Sequence, residues 1–174
     1  MAFQTNDPPN SDDELMALRS LKERYAYMFV APRFGQDLYR GWLADFITAC
    51  HHVDQLLGDD KRGFHFRQIK EKLGWARYYW RTENVKPLRL SLFTNEGVLE
   101  RLHGLESADE AENQIAQILL TAERSSRQKC IVCAAPAESR SFEGWLVCTC
   151  EQHGPEAMPR DALLRASLLR DAAG

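Results

Sequence analysis

No apolar run in this chain approaches the roughly twenty residues needed to span a bilayer. Nor does charge of either sign dominate. Lys and Arg number 22 and Asp and Glu 25, a formal net charge of −3, which gives no overall pull toward nucleic acid or an anionic surface. The chain has no phosphate-cradling glycine loop, no H-E-x-x-H and no nucleophile–base pair at a recognisable spacing. The expectation is therefore a protein that is not an enzyme, although a site assembled from distant positions lies beyond what spacing reveals. There is no internal repeat. The start, Met1 to Pro9, has neither a basic opening nor an apolar stretch. It does not read as a secretory signal, which predicts a cytoplasmic protein with no membrane partner.

What is present is ordinary globular composition with one unusual stretch. The 174 residues are 44% hydrophobic and 27% charged, which fits one domain with appendages. The stretch runs from Cys130 to His153: Cys130-Ile-Val-Cys133, sixteen residues, then Cys150-Glu-Gln-His153. Paired C-x-x-C and C-x-x-H units grip a four-coordinate zinc ion from two tight turns. Ala134, Ala135 and Pro136 read as a turn, and Phe142 to Val147 as a strand returning to the second pair. Cys130, Cys133, Cys150 and His153 are the predicted ligands. Cys148 shares a strand face with Cys150 and is the alternate for His153. Inert thiols in a reducing cytosol are the plain alternative, and disulfides would need an oxidising compartment. Four protein ligands leave no open position for water, so the ion would support folding and not catalysis.

Taken in order, residues 1–10 read as a flexible arm. Ser11 and Glu14 suggest a capping box for an amphipathic helix from Asp12 to about Tyr27. Asp37 is placed to cap a second helix to Leu57, with Trp42, Phe46, Cys50 and Val53 on one stripe and Gly58 as its stop. Cys50 beside His51 and His52 invites a catalytic reading, but a buried thiol in the core is the simpler one. Gly63 to Arg81 alternates and reads as a β-hairpin, with Gly74 at a turn or bulge.

That hairpin carries the chain's one concentration of cations, interleaved with aromatics. Arg67, Lys70, Lys72, Trp75, Arg77 and Tyr79 are candidate partner-binding residues: cations for phosphate or carboxylate, rings for stacking or anchoring. Alternation alone predicts a simpler arrangement, with rings in the core and cations in water. Val85 to Leu92 reads as an extended link or edge strand, and Thr94 as the cap of a short helix carrying Val98, Leu99 and Leu102. Ser107 with Glu110 suggests a capping box for a helix to about Ser125, and Asp161 to Arg170 reads as a last short helix. The expected class is α+β, with helices packed on a small antiparallel sheet or hairpin and a C-terminal zinc-stabilised β-hairpin. The boundaries are 11–128 for the core, 129–154 for the metal module and 155–174 for a linker and helix.

Gly41-Trp42-Leu43, then Gln68-Ile-Lys-Glu-Lys-Leu-Gly-Trp-Ala-Arg-Tyr-Tyr79, then Cys130-Ile-Val-Cys-Ala-Ala-Pro-Ala137, Gly144-Trp-Leu146 and Cys150-Glu-Gln-His153 follow one another over residues 38 to 154. This order resembles a family of small, uncharacterised bacterial and phage proteins. They share an Ile-Lys-Glu-Lys-Phe-Gly-Gly-Leu-Arg-Phe-Tyr-like block and a Cys-x-x-Cys-Gly-x-Pro-Gly … Gly-Trp … Cys-x-x-His ending. The chain departs from that pattern at Ala134 and Ala137, where glycines are usual, at Trp75-Ala76, which replaces Gly-Leu, and in its extra Cys148. The resemblance implies a zinc-supported fold and, from the mobile-element and toxin-locus setting of its members, an inhibitor or immunity role against a toxin or defence component. The reading is a non-catalytic, zinc-stabilised protein-binding protein. The alternative is a nucleic-acid-binding or regulatory zinc module that uses residues 61–81.

Overall fold

The computed structural model describes residues 12–30, 35, 37–95, 97–142, 144–154 and 163–165. The fold is α+β, as the pattern predicts: three α-helices packed with small antiparallel two-stranded sheets. The predicted arm at residues 1–10 lies outside the described residues, as does the capping role of Ser11. No described helix is long and apolar enough to cross a membrane.

Helix α1 (Asp12–Arg24) passes into a short 3-10 turn, Ala26–Phe29. The expected second helix begins later than its sequence suggests. Asp37 does not cap it: β1 (Asp37–Tyr39) and a 3-10 turn (Arg40–Trp42) come first, and α2 spans Leu43–Leu57. Two contacts hold the chain extended there. β1 pairs antiparallel with β8 (Leu163–Arg165), and the Gly41 N–H donates to the Ile131 carbonyl at 3.0 Å. The first contact also corrects the predicted last helix: residues 163–165 are strand, and the remainder of 161–170 lies outside the described residues. So short a segment has little helical stability of its own, and pairing decides its state.

The central element is the hairpin of β2 (His65–Lys72) and β3 (Trp75–Arg81), with a bulge between Phe66 and Gln68. Its loop, Leu73-Gly74, has positive φ at both positions, 61° and 87°. That is the type I′ geometry whose twist suits a two-residue hairpin. Phe64, Phe66, Ile69, Tyr78 and Trp80 face the main core with Phe46, Val53 and Met28. Cys50 is fully buried in that same core, as the simpler reading expected, and burial pushes its thiol well up.

Helix α3 (Glu110–Ser126) lies along β3, and its cap lies two residues beyond the predicted pair. Asp109 accepts from the Glu112 N–H at 3.0 Å, and the Glu112 carboxylate accepts from the Asp109 N–H at 3.1 Å. The helix satisfies the open side of β3 with side chains. Ser126 Oγ accepts from the Ala76 N–H at 2.9 Å, and Glu123 accepts from the Tyr78 N–H at 2.7 Å. A strand edge that would invite pairing is thereby covered.

Residues 94–103 hold the largest departure from expectation. They form no helix. β4 (Leu88–Thr94) pairs with β5 (Gly97–His103), from Leu88 opposite His103 to Thr94 opposite Gly97. Val98, Leu99 and Leu102 fit a helical spacing, but Arg89 and Glu100 reach partners on β3 and α3 only from a strand. The last sheet joins β6 (Glu138–Phe142) to β7 (Trp145–Thr149) and belongs to the metal module. That module is continuous with the body, since Cys130, Ile131 and Val132 are part of the main hydrophobic cluster. The β2–β3 loop also touches it: a Cβ on Gly74 would lie 3.1 Å from the Leu146 carbonyl.

Candidate metal centre

The first ligand pair sits in a tight turn just after α3. The Ala134 N–H donates to the Cys130 carbonyl at 3.0 Å, and the Cys130 N–H to the Ala135 carbonyl at 2.7 Å. The Ile131 N–H donates to the Cys148 carbonyl at 2.8 Å, which ties this turn to β7. Gly41 packs against its other side so closely that a Cβ there would lie 1.9 Å from the Cys130 carbonyl oxygen. Lys129 completes the attachment, with Nζ at 2.8 Å from both carboxylate oxygens of Asp45 on α2. The second pair follows the end of β7, where residues 151–153 turn and the His153 N–H donates to the Cys150 carbonyl at 3.2 Å.

These turns bring four ligand atoms together. The Sγ atoms of Cys130, Cys133 and Cys150 and a ring nitrogen of His153 all lie within 4.8 Å of one another. His153 Nδ1 is 3.2 Å from Cys150 Sγ and 3.6 Å from Cys130 Sγ, and Cys133 Sγ is 3.7 Å from Cys150 Sγ. Cys130 and His153 are buried, Cys150 is half-buried and Cys133 is exposed, so the cluster sits at the rim of the core. Burial raises the Cys133 thiol to about 12. At Cys150 burial also pushes upward, but the hydrogen bonds from His153 and backbone N–H groups outweigh it and bring the thiol down to about 7. The cluster can hold a metal ion through four protein ligands, which leaves little room for a reacting fifth group.

Cys148 points elsewhere. It is buried, its Sγ donates to the Arg127 carbonyl at 3.3 Å, and burial raises its thiol to about 11. Strand alternation pairs it with Cys150 only on paper, because β7 ends at Thr149 and the backbone turns from there.

No protein-family model matches this chain, and no curated protein or solved structure does so. The centre is therefore characterised by its own geometry.

Ala134 has φ +63°. A Cβ in the left-handed region costs about 1–2 kcal/mol. Replacing it with glycine relieves that strain and loses part of the gain to unfolded-chain entropy. Ala134→Gly is therefore expected to stabilise the metal-loaded protein by about 0.5–1 kcal/mol. Urea denaturation checks this, and a lower midpoint than wild type would contradict it.

The six candidate partner-binding residues separate into two groups. Arg67 and Lys72 are exposed, and Lys70 is half-buried with its Nζ 4.9 Å from the centre of the half-buried Tyr79 ring. Trp75 and Arg77 are interior. Arg77 is 0% exposed and donates to Glu100 at 2.5 Å. Trp75 lies between the guanidinium groups of Arg77 and Arg127, at 4.5 and 4.2 Å from its ring centre. Both faces of β3 are thus covered. The simpler arrangement, with cations in water, holds for Arg67 and Lys72 and fails for Arg77.

Sequence reasoning missed this interior ion network altogether. Glu100 also accepts from Arg89 at 3.3 Å, Arg127 at 3.1 Å and Ser91 at 3.0 Å, while Arg89 meets both oxygens of Glu123 at 2.7 Å. Burial raises the Glu123 carboxyl. Burial lowers Arg77 to about 10, which still leaves it charged at neutral pH.

Proposed function

We propose that this chain is a zinc-stapled, non-catalytic protein-binding protein of inhibitor or immunity type, working in the cytoplasm. The closed set of three thiolates and one imidazole carries the reading. Zinc held by thiolates at about 2.3 Å and imidazole at about 2.0–2.1 Å sets ligand-to-ligand edges of roughly 3.5–3.8 Å in a tetrahedron. Three of the six separations, 3.2, 3.6 and 3.7 Å, are close to that, and all six fall within 4.8 Å. Soft sulfur ligands with one imidazole favour zinc over harder cations. Bound there, zinc would supply cross-linking between the turn after α3 and the turn after β7, and Cys130, Cys133, Cys150 and His153 would hold it. Reduced thiols in a metal cluster suit a reducing compartment. The inhibitor or immunity assignment rests on the family resemblance over residues 38–154 and on the absence of a recognisable catalytic set in the sequence.

For the alternative, nucleic-acid binding, exposed Arg67 and Lys72 and half-buried Lys70 would supply the phosphate contacts, but buried Trp75 would not stack on a base. The deciding experiment joins metal analysis to partner recovery. Elemental analysis is expected to find about one zinc per chain. Affinity purification with cross-linking from a bacterial host is expected to recover one stoichiometric protein whose activity falls on binding. Metal-dependent turnover by the purified chain, or salt-sensitive binding to a DNA or RNA probe with no protein partner, would replace this reading.

A further inference from the structure

The β4–β5 ribbon is inside out. Its alternation places Arg89, Ser91 and Glu100 toward the body, where they join the interior ion network. The opposite face carries Leu88, Leu90, Leu92 and Leu99, which are 59%, 54%, 57% and 48% exposed. A one-residue change of register exchanges the two faces of a strand. Here the ion pairs select the register that leaves the leucines in water. Each leucine forgoes about half of its possible burial by staying exposed. Scattered exposed leucines are common, but four on one ribbon face mark a contact surface.

Cross-strand register completes that face. Arg101 lies opposite Leu90, His103 opposite Leu88, Leu99 opposite Leu92 and Gly97 opposite Thr94. Arg101 and His103 are exposed, and among the described residues no carboxylate belongs to this face. Among the described residues the ribbon is a two-stranded sheet whose edges pair with no other strand. The features are thus an apolar stripe, a basic side chain within it, and edges able to accept another strand.

We propose that this ribbon docks an extended segment of a partner protein that carries an apolar and an acidic residue two positions apart, on one face of the strand. The segment adds as a third strand along β5. Its main chain bonds to the open edge, an apolar side chain packs beside Leu99, and a carboxylate meets Arg101. Charge disfavours a second copy of this chain as the occupant, since each copy would bring Arg101 and His103 and, among the described residues, no acid on this face. A membrane is disfavoured by the edge itself, because lipid offers nothing to unpaired backbone N–H and C=O groups. The inference rests on the protein-binding reading and gives it a surface and a partner chemistry.

The test uses the full chain and labelled synthetic peptides, one repeating valine-threonine-glutamate-threonine and one repeating valine-threonine-lysine-threonine, so that valine and the charged residue share a face. Fluorescence anisotropy is expected to show the glutamate peptide binding at least roughly tenfold more tightly. Arg101→Glu should reverse that order. Leu90→Asn combined with Leu99→Asn should weaken binding by a similar factor while the melting curve is kept. Amide exchange should slow across Val98–His103 when the glutamate peptide is bound. Equal binding of both peptides, no binding of either, or a preference unaffected by Arg101→Glu would overturn the proposal. So would leucine-dependent dimerisation in sedimentation, or binding to phosphatidylglycerol vesicles in place of peptide. If the affinity experiment still recovers a partner when the peptides fail, this surface is wrong and the protein-binding reading stands. If no partner is recovered either, both fall.

Discussion

Cys130→Ser is expected to destabilise the protein by at least ~4 kcal/mol, the range in which loss of a structural metal belongs. The thiol is 0% exposed and lies 3.6 Å from His153 Nδ1, so the substitution removes a ligand and leaves a hydroxyl at the edge of the core. Serine is a far weaker ligand for zinc than a thiolate, and three ligands do not close the shell. The damage spreads beyond the module because this turn is fastened to its neighbours. Gly41 bonds to Ile131, Lys129 holds Asp45, and Cys130 to Val132 pack in the main cluster. For a domain of this size the loss corresponds to a drop of ~10 °C in melting temperature. Chelator added to the wild type should lower its melting temperature comparably, and should do little more to the variant. Cys148→Ala is the contrasting case and should retain the metal, since Cys148 Sγ bonds to the Arg127 carbonyl and lies outside the cluster. A Cys130→Ser protein that melts like wild type would remove the structural role, and metal lost from Cys148→Ala would return that residue to the shell.

Glu100→Gln should cost ~3–5 kcal/mol, the usual penalty for stripping the partner from a buried ion pair. Wild-type Glu100 offers its charge to three guanidinium groups, and one of them, Arg77, has no exposed surface at all. The amide has nearly the same shape, so packing is conserved and the lost negative charge dominates. Arg89 would keep its pair with Glu123, while Arg77 and Arg127 would lose the carboxylate charge they face. The ribbon should also loosen, because Glu100 ties β5 to the body. Chemical denaturation measures the cost, and faster amide exchange in β4 and β5 reports the loosening. Glu138→Gln, on the exposed side of β6, is the control and should stay within ~0.5 kcal/mol of wild type. Pairing Glu100→Leu with Arg77→Met should recover much of the loss, since replacing both charges removes the unpaired one. Wild-type stability in Glu100→Gln would show that the network is not what holds Arg77 inside.

The two predictions concern features of unequal visibility in the sequence. The ligand pairs are local: C-x-x-C and C-x-x-H each close within one turn, so spacing alone brings Cys130 to Cys133 and Cys150 to His153. The hairpin from Gly63 to Arg81 and the stripes of α2 and α3 are similarly written in periods of two and 3.6. The network is not local. Arg77 and Glu100 are 23 positions apart, and Arg89 and Glu123 are 34 apart. A basic residue on an alternating strand looks the same in sequence whether its face meets water or another ribbon. The pattern around Thr94 failed for a related reason: Val98, Leu99 and Leu102 satisfy a helical spacing, and only the partners of Arg89 and Glu100 make the segment a strand.

The sequence alone specifies the α+β class, the central hairpin, the positions of the main helices and the three cysteines of the candidate metal cluster. Each of these depends on neighbours a few residues away, through turn geometry or the period of apolar positions. The tertiary structure alone decided that His153 and not Cys148 joins the cluster, that Trp75 and Arg77 are interior, that residues 163–165 pair as a strand, and that a ribbon turns its leucines outward. Each of those depends on which distant segment lies opposite, and burial of a charge becomes tolerable only once its counter-charge has been delivered there by the fold.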